Sequence, residues 1–196
     1  MRPVIALTIA LTLFAAVLAN RSPGKAAGDE AVLTVGSRRF SASDVELRRR
    51  IVLQKYGDAG RAVLGAYAQL IEGYLLVEVL AGMGHPITEE DLDREIERID
   101  RNTHDPEGLA RLKAVCGGGK TAAYRRIAIL PDFANRRFYY EVHSAFAPQA
   151  TADKPKPDAD EVFWARAGKI PVRVADPAIQ ALLKTKVSWA GRVNFE

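Results

Sequence analysis

Few residues of this chain are spaced for chemistry, and the sharpest group is Ala114-Val-Cys-Gly-Gly-Gly-Lys-Thr121. A lysine and a threonine after a glycine run, with a small residue five before Gly119, fit a relaxed phosphate-binding loop, in which backbone amides and the lysine cradle phosphates at a helix start. The first position is Ala rather than Gly, however, and Gly108 to Lys113 reads as a charged helix where the motif requires a buried strand. A Gly-rich connection between helices is expected, with no nucleotide and no cofactor. His85, His104 and His143 form no i, i+4 pair and share no ligand spacing with Cys116, so no metal site is expected. Cys116 is the only cysteine, which rules out an intramolecular disulfide, and nothing near it orients a base or builds an oxyanion hole. The carboxylates Glu89, Glu90, Asp91 and Asp93 suit the start of a helix better than acid–base work, since nothing apolar separates their pKa values. The chain is therefore expected to have no catalytic residues and not to be an enzyme.

The aromatic residues point to binding instead. Phe133, Phe138, Tyr139, Tyr140 and Phe146 flank Arg136 and Arg137. Three consecutive aromatics on a helix lie about 100° apart, so they cannot all face one core. Either Trp164, Trp189 and the C-terminal residues cover them, or they line a client-binding groove. Tyr67 and Tyr74 lie on the preceding core helix, and a cradle between the two helices gives the candidate peptide-binding set Tyr67, Tyr74, Phe133, Phe138, Tyr139 and Tyr140.

These residues are positioned by a succession of helices. Leu64, Tyr67, Leu70, Ile71, Tyr74, Leu75, Val77 and Leu80 recur at three- and four-residue spacing around nearly the whole circumference, which predicts a core helix beginning near Ala59. Gly82, Gly84 and Pro86 stop it, and Thr88 with Asp91 offers a capping arrangement to an amphipathic helix over 91–101, with Leu92, Ile96 and Ile99 inward and Asp93, Glu95, Glu97 and Arg98 outward. Upstream, Ala31 to Phe40 reads as one or two brief strands, and Ser43 with Glu46 as the capping box of a helix reaching Tyr56. Downstream, Glu107 to Val115 makes a short helix, and Thr121 caps a longer one. Pro131 should kink or split that one near Leu130. Residues 147–160 read as a linker, Ile170 to Val174 as a strand and Asp176 to Lys184 as a helix.

The leucine-rich AQLIEGYLLVEVLAGMG, the short turn and TEEDLDREIERI, in that order, resemble the N-terminal helical domain of SurA-like and PrsA-like periplasmic foldases and chaperones. The resemblance runs from about Ala31 to Ala145. It implies a mainly α, multi-helix chaperone domain over 31–146, with a short N-terminal β element and a small C-terminal strand and helix segment over 161–196 that folds back on the helices. DADEVFWARAGKIPVRV is similar to the lead-in to the parvulin peptidyl-prolyl isomerase domain of longer relatives, but too few residues follow for that domain. The implied function is binding of unfolded or extended polypeptide clients in the cell envelope without isomerase activity. The alternative is a dedicated assembly factor or subunit that holds one specific envelope partner.

Composition fits this picture. The 196 residues hold 28 Lys and Arg against 24 Asp and Glu, a net charge of +4, with the positives interleaved among acids, so nucleic acid is not an expected partner. Arg2 followed by an uncharged run from Val4 to Ala19 predicts a secretory signal peptide over 1–19, then a mobile leader over 20–30. The chain is expected to be exported to the periplasm, or held transiently at the inner membrane if the segment is retained.

Overall fold

Ala31–Val35 (β1) and Arg38–Ser41 (β2) pair antiparallel across a two-residue turn at Gly36, whose φ of 55° needs no Cβ. In the computed structural model, which describes residues 30–146 and 158–196, this hairpin leads into seven α-helices: Ala42–Tyr56 (α1), Ala59–Gly82 (α2), Glu89–Asn102 (α3), Pro106–Val115 (α4), Leu130–Phe146 (α5), Ala159–Ala167 (α6) and Pro177–Lys186 (α7). Strand Pro171–Val174 (β3) precedes α7, and Asn194–Phe195 (β4) ends the chain. The fold is mainly α with a small sheet, as expected. The expected signal peptide and most of the leader and linker fall on 1–29 and 147–157, outside the described residues.

The sheet joins the two ends of the described fold in the order β2-β1-β3-β4. β1 pairs antiparallel with β3, Leu33 opposite Val174 and Val35 opposite Val172, and β3 pairs parallel with β4. Leu33, Val35, Phe40, Val172 and Val174 bury one face of it, as period-two alternation dictates. Residues 159–196 supply two of the four strands as well as Phe163, Ala167, Ile179 and Leu183 to the main core, and Ala31–Glu196 makes one compact unit. The last residues of the expected linker are helical, because Asp158 caps α6.

α2 is long and apolar enough to cross a membrane by length and composition, but here it is the central core helix. α1 and α5 pack along it, α6, α7 and β1 cover its remaining faces, and Leu70, Ile71, Tyr74, Leu75 and Leu80 are fully enclosed. The apolar residues spread round the helix are therefore each matched by a neighbouring element.

Two helix starts show how local chemistry sets boundaries. Thr88 and Asp91 form the expected capping box: the Asp91 N–H donates to Thr88 Oγ1 (3.2 Å) and the Thr88 N–H donates to Asp91 Oδ2 (3.0 Å). At α1 the box lies two residues before the expected Ser43 and Glu46. Ser41 and Asp44 form it, because β2 runs directly into the helix at Ser41 and Arg49 engages Glu46 instead, with Nε donating at 2.7 Å.

The Thr88 backbone N–H, and then Arg94, hold the Asp91 carboxyl down from its ordinary 3.8 to about 2. A depressed folded pKa contributes stability that is full above the unfolded value and lost as pH falls through the folded one. Asp91→Asn is thus expected to lower stability by about 1 kcal/mol at neutral pH. The gap to wild type should close between pH 4 and pH 2, as urea unfolding across that range would show.

Glu95 corrects the outward placement expected for it. It is buried beneath Arg98, whose Nε and Nη2 each donate to it at 2.8 Å, and it also accepts from Arg136 of α5. Burial pushes its pKa up, but the two arginines outweigh burial and hold the carboxyl below its usual range. Periodicity placed Glu95 outside because a carboxylate next to Ile96 needs a partner from another helix to be covered, and α5 provides one.

Pro131 neither splits nor ends its helix. Tyr124–Ile129 forms a π turn, with the Leu130 N–H donating to Arg125 O five residues back, and α5 continues from it. Proline has no N–H to offer the carbonyl four residues back (Ile127) or five back (Arg126). Arg48 Nη1 donates to the first at 2.8 Å and Tyr74 Oη to the second at 3.0 Å, so both are satisfied from neighbouring helices. The added residue of the π turn rotates everything after it by about 100°. It therefore decides which aromatics of α5 point inward.

Candidate functional site

The rotation turns Phe138 into the core and leaves Tyr139 at the edge of an open cleft of about 350 Å³ between α2, α5, α6 and Ser188–Arg192. Phe138 meets Phe163 edge-on at 5.6 Å, Phe163 meets Trp164 at 4.5 Å, and Trp164 meets Trp189 at 5.8 Å between ring centroids. The phenylalanines form a buried floor, and the half-buried tryptophans with Tyr139 form the walls. Trp164 and Trp189 are the only tryptophans of the chain.

Polar groups lie beside the rings, with Ser188 and Arg192 entering from the C-terminal segment. Glu72 reaches the cleft from α2, Asp160 from the first turn of α6, and Asn135 from α5. The Tyr139 hydroxyl donates to Asp160 Oδ1 at 2.7 Å. That bond, with burial and the charges of Asp160, Glu72 and Asp158, pushes the phenol up to about 12, so it stays a donor at any physiological pH. Burial, and then the Asp160 charge, pushes the Glu72 carboxyl up. Arg192 lies at the rim with its guanidinium 5.9 Å over the Trp164 ring.

The six expected peptide-binding residues separate. Tyr139, 40% exposed, lines the cleft and Phe138 underlies it. Tyr67 and Tyr74 are core residues; Tyr74 is enclosed against Phe40 at 4.6 Å, and its hydroxyl serves the Arg126 carbonyl. Their positions on α2 are covered by the sheet and the other helices, which removes both from a groove. Phe133 packs on the smaller cluster of Leu92, Ile96 and Tyr124. Tyr140 is 66% exposed and lies outside the cleft. The open cleft thus keeps Glu72 and Leu76 of α2 and part of α5 in its lining, and adds residues of the C-terminal segment to them. Trp164 and Trp189 were the expected cover for the α5 aromatics, but the ring that meets Phe138 is Phe163, and both tryptophans stay half-buried beside the cleft. The one sequence signal for the acids of the cleft was Glu72, which with Glu78 is one of two acids in the apolar helix α2.

The glycine-rich loop has no site geometry. It follows helix α4 rather than a strand, and Thr121 Oγ1 is engaged within the loop, donating to Cys116 O at 2.8 Å and accepting from the Tyr124 N–H at 3.0 Å. Cys116 is buried, which pushes its thiol pKa up, against the effect of Arg50 and Arg48 nearby. Comparison with protein-family models, with curated proteins and with solved structures finds no match.

Proposed function

We propose that this domain holds extended or unfolded polypeptide segments as a chaperone-like binding module, without catalysing a reaction. The observation that carries the reading is the convergence of both tryptophans and Tyr139 on one open cleft, built on a helical scaffold with an enclosed core. Large rigid rings give apolar contact area at low entropic cost, and a cleft open to solvent admits a chain segment without unfolding the scaffold. The aromatic walls would hold client side chains, while Asn135, Asp160 and the Tyr139 hydroxyl supply polar contacts to the client. No covalent step is needed, and release follows from modest affinity. The resemblance to SurA-like and PrsA-like helical domains and the N-terminal apolar run support an exported, envelope-facing setting for the same activity.

The test is suppression of aggregation of a chemically unfolded client, followed by light scattering. The wild-type chain at several-fold molar excess is expected to protect the client, and Tyr139→Ala, which removes one wall at an exposed position, to protect it less. Absence of protection by the wild type would overturn the reading.

A further inference from the structure

The walls and charges of the cleft together narrow its occupant. Resting on the polypeptide-binding reading, we propose that the cleft selects segments carrying a basic side chain, whose aliphatic stem lies along Trp164, Trp189 and Tyr139 and whose cationic head meets Glu72 and Asp160.

The charge balance of the lining is two carboxylates against the single guanidinium of Arg192. Elsewhere in the fold, acids that are half-buried like Glu72, or more deeply buried, are met by arginine: Glu95 by Arg98 and Arg136, Asp91 by Arg94, Glu141 by Arg137. Glu72 has no such partner among the described residues, and the Asp160 side chain accepts from the Tyr139 hydroxyl. A half-buried carboxylate beside a second one is destabilised when ionised, and an arriving cation reverses that penalty. The aromatic faces act in the same direction, since ring quadrupoles attract ammonium and guanidinium groups. Arg192 over Trp164 shows that this wall accommodates a guanidinium. An acidic segment would bring a third negative charge to the carboxylates. The volume, at the lower end of the roughly 300–1,000 Å³ common for ligand clefts, suits one long side chain with its adjoining backbone.

The experiment titrates the full chain with capped peptides identical except for a central Lys, Gln or Glu, reading tryptophan emission. The Lys peptide is expected to bind at least about ten-fold more tightly than the Gln peptide, with the Glu peptide weakest. Glu72→Gln should shrink the Lys preference while binding of the Gln peptide persists, and Asp160→Asn should shrink the Lys preference as well. Glu72→Gln removes a desolvated charge and is expected to keep the wild-type Tm, which confirms that the variant is folded. Equal affinity of wild type for the Lys and Gln peptides would overturn the basic-residue inference and leave polypeptide binding standing. A Lys preference undiminished in both variants would overturn the assignment to these carboxylates. No binding of any peptide, together with no client protection, would overturn the underlying reading as well.

Discussion

Gly73→Ala is expected to destabilise the domain by about 2–3 kcal/mol, read as a lower urea midpoint at unchanged slope. A Cβ at Gly73 would stand 2.4 Å from Pro131 Cβ and 2.8 Å from Pro131 Cα, closer than carbon atoms approach, and the obstacle includes backbone. Neither side can yield cheaply. Gly73 is in the middle of the enclosed helix α2, and Pro131 is buried with its φ fixed by the ring, directly after the π turn. Helix propensity alone would favour Ala by about 1 kcal/mol, so the steric penalty must exceed that to give a net loss. Gly82→Ala is the control, because nothing lies within 4 Å of a Cβ there. It should be neutral or slightly stabilising. A Gly73→Ala protein as stable as wild type would show that α2 and α5 do not approach as described.

Arg48→Ala is expected to cost about 2–4 kcal/mol, for a different reason. Arg48 is 4% exposed, and each nitrogen of its guanidinium has a partner: Nη1 donates to the Ile127 carbonyl, Nε donates to Gln69 Oε1 at 3.0 Å, and Nη2 lies 3.6 Å from Asp132. Burial pushes its pKa down and Asp132 opposes that, so the side chain remains a charged donor. Truncation strands a buried carbonyl that Pro131 cannot serve. The same logic predicts coupling: in a Pro131→Ala background, the restored N–H gives that carbonyl an alternative donor, and Arg48→Ala should cost at least about 1 kcal/mol less. A double-mutant cycle by urea unfolding measures this difference directly. Additivity of the two substitutions would contradict the account of how the proline is accommodated.

Both predictions turn on features that one-dimensional reading could not supply. The Thr88–Asp91 cap was legible because its partners are three residues apart, and the core role of α2 because its apolar residues surround the whole helix. Pro131 was legible as a disturbance, but its outcome depended on Arg48 and Tyr74 from two other helices, donors that no local pattern reveals. Arg48 sits in a run of three arginines that reads as a solvated face, just as Glu95 reads as an outward acid. Each is buried because another helix supplies its partner. The candidate site follows the same rule. Exposure of at least one of Phe138, Tyr139 and Tyr140 was forced by helical geometry, whereas the cleft itself is made by residues 159–196 returning to the sheet at β1, more than a hundred positions away in sequence.

That return places Trp164 and Trp189 where they report on the cleft without an added label. The most direct test of the central claim is therefore to titrate the protein with an unfolded client, itself free of tryptophan, following tryptophan emission and client anisotropy together. The account predicts one saturable transition with the same midpoint in both signals, weakened in Tyr139→Ala. Client binding by anisotropy that leaves the emission of Trp164 and Trp189 unchanged would contradict it.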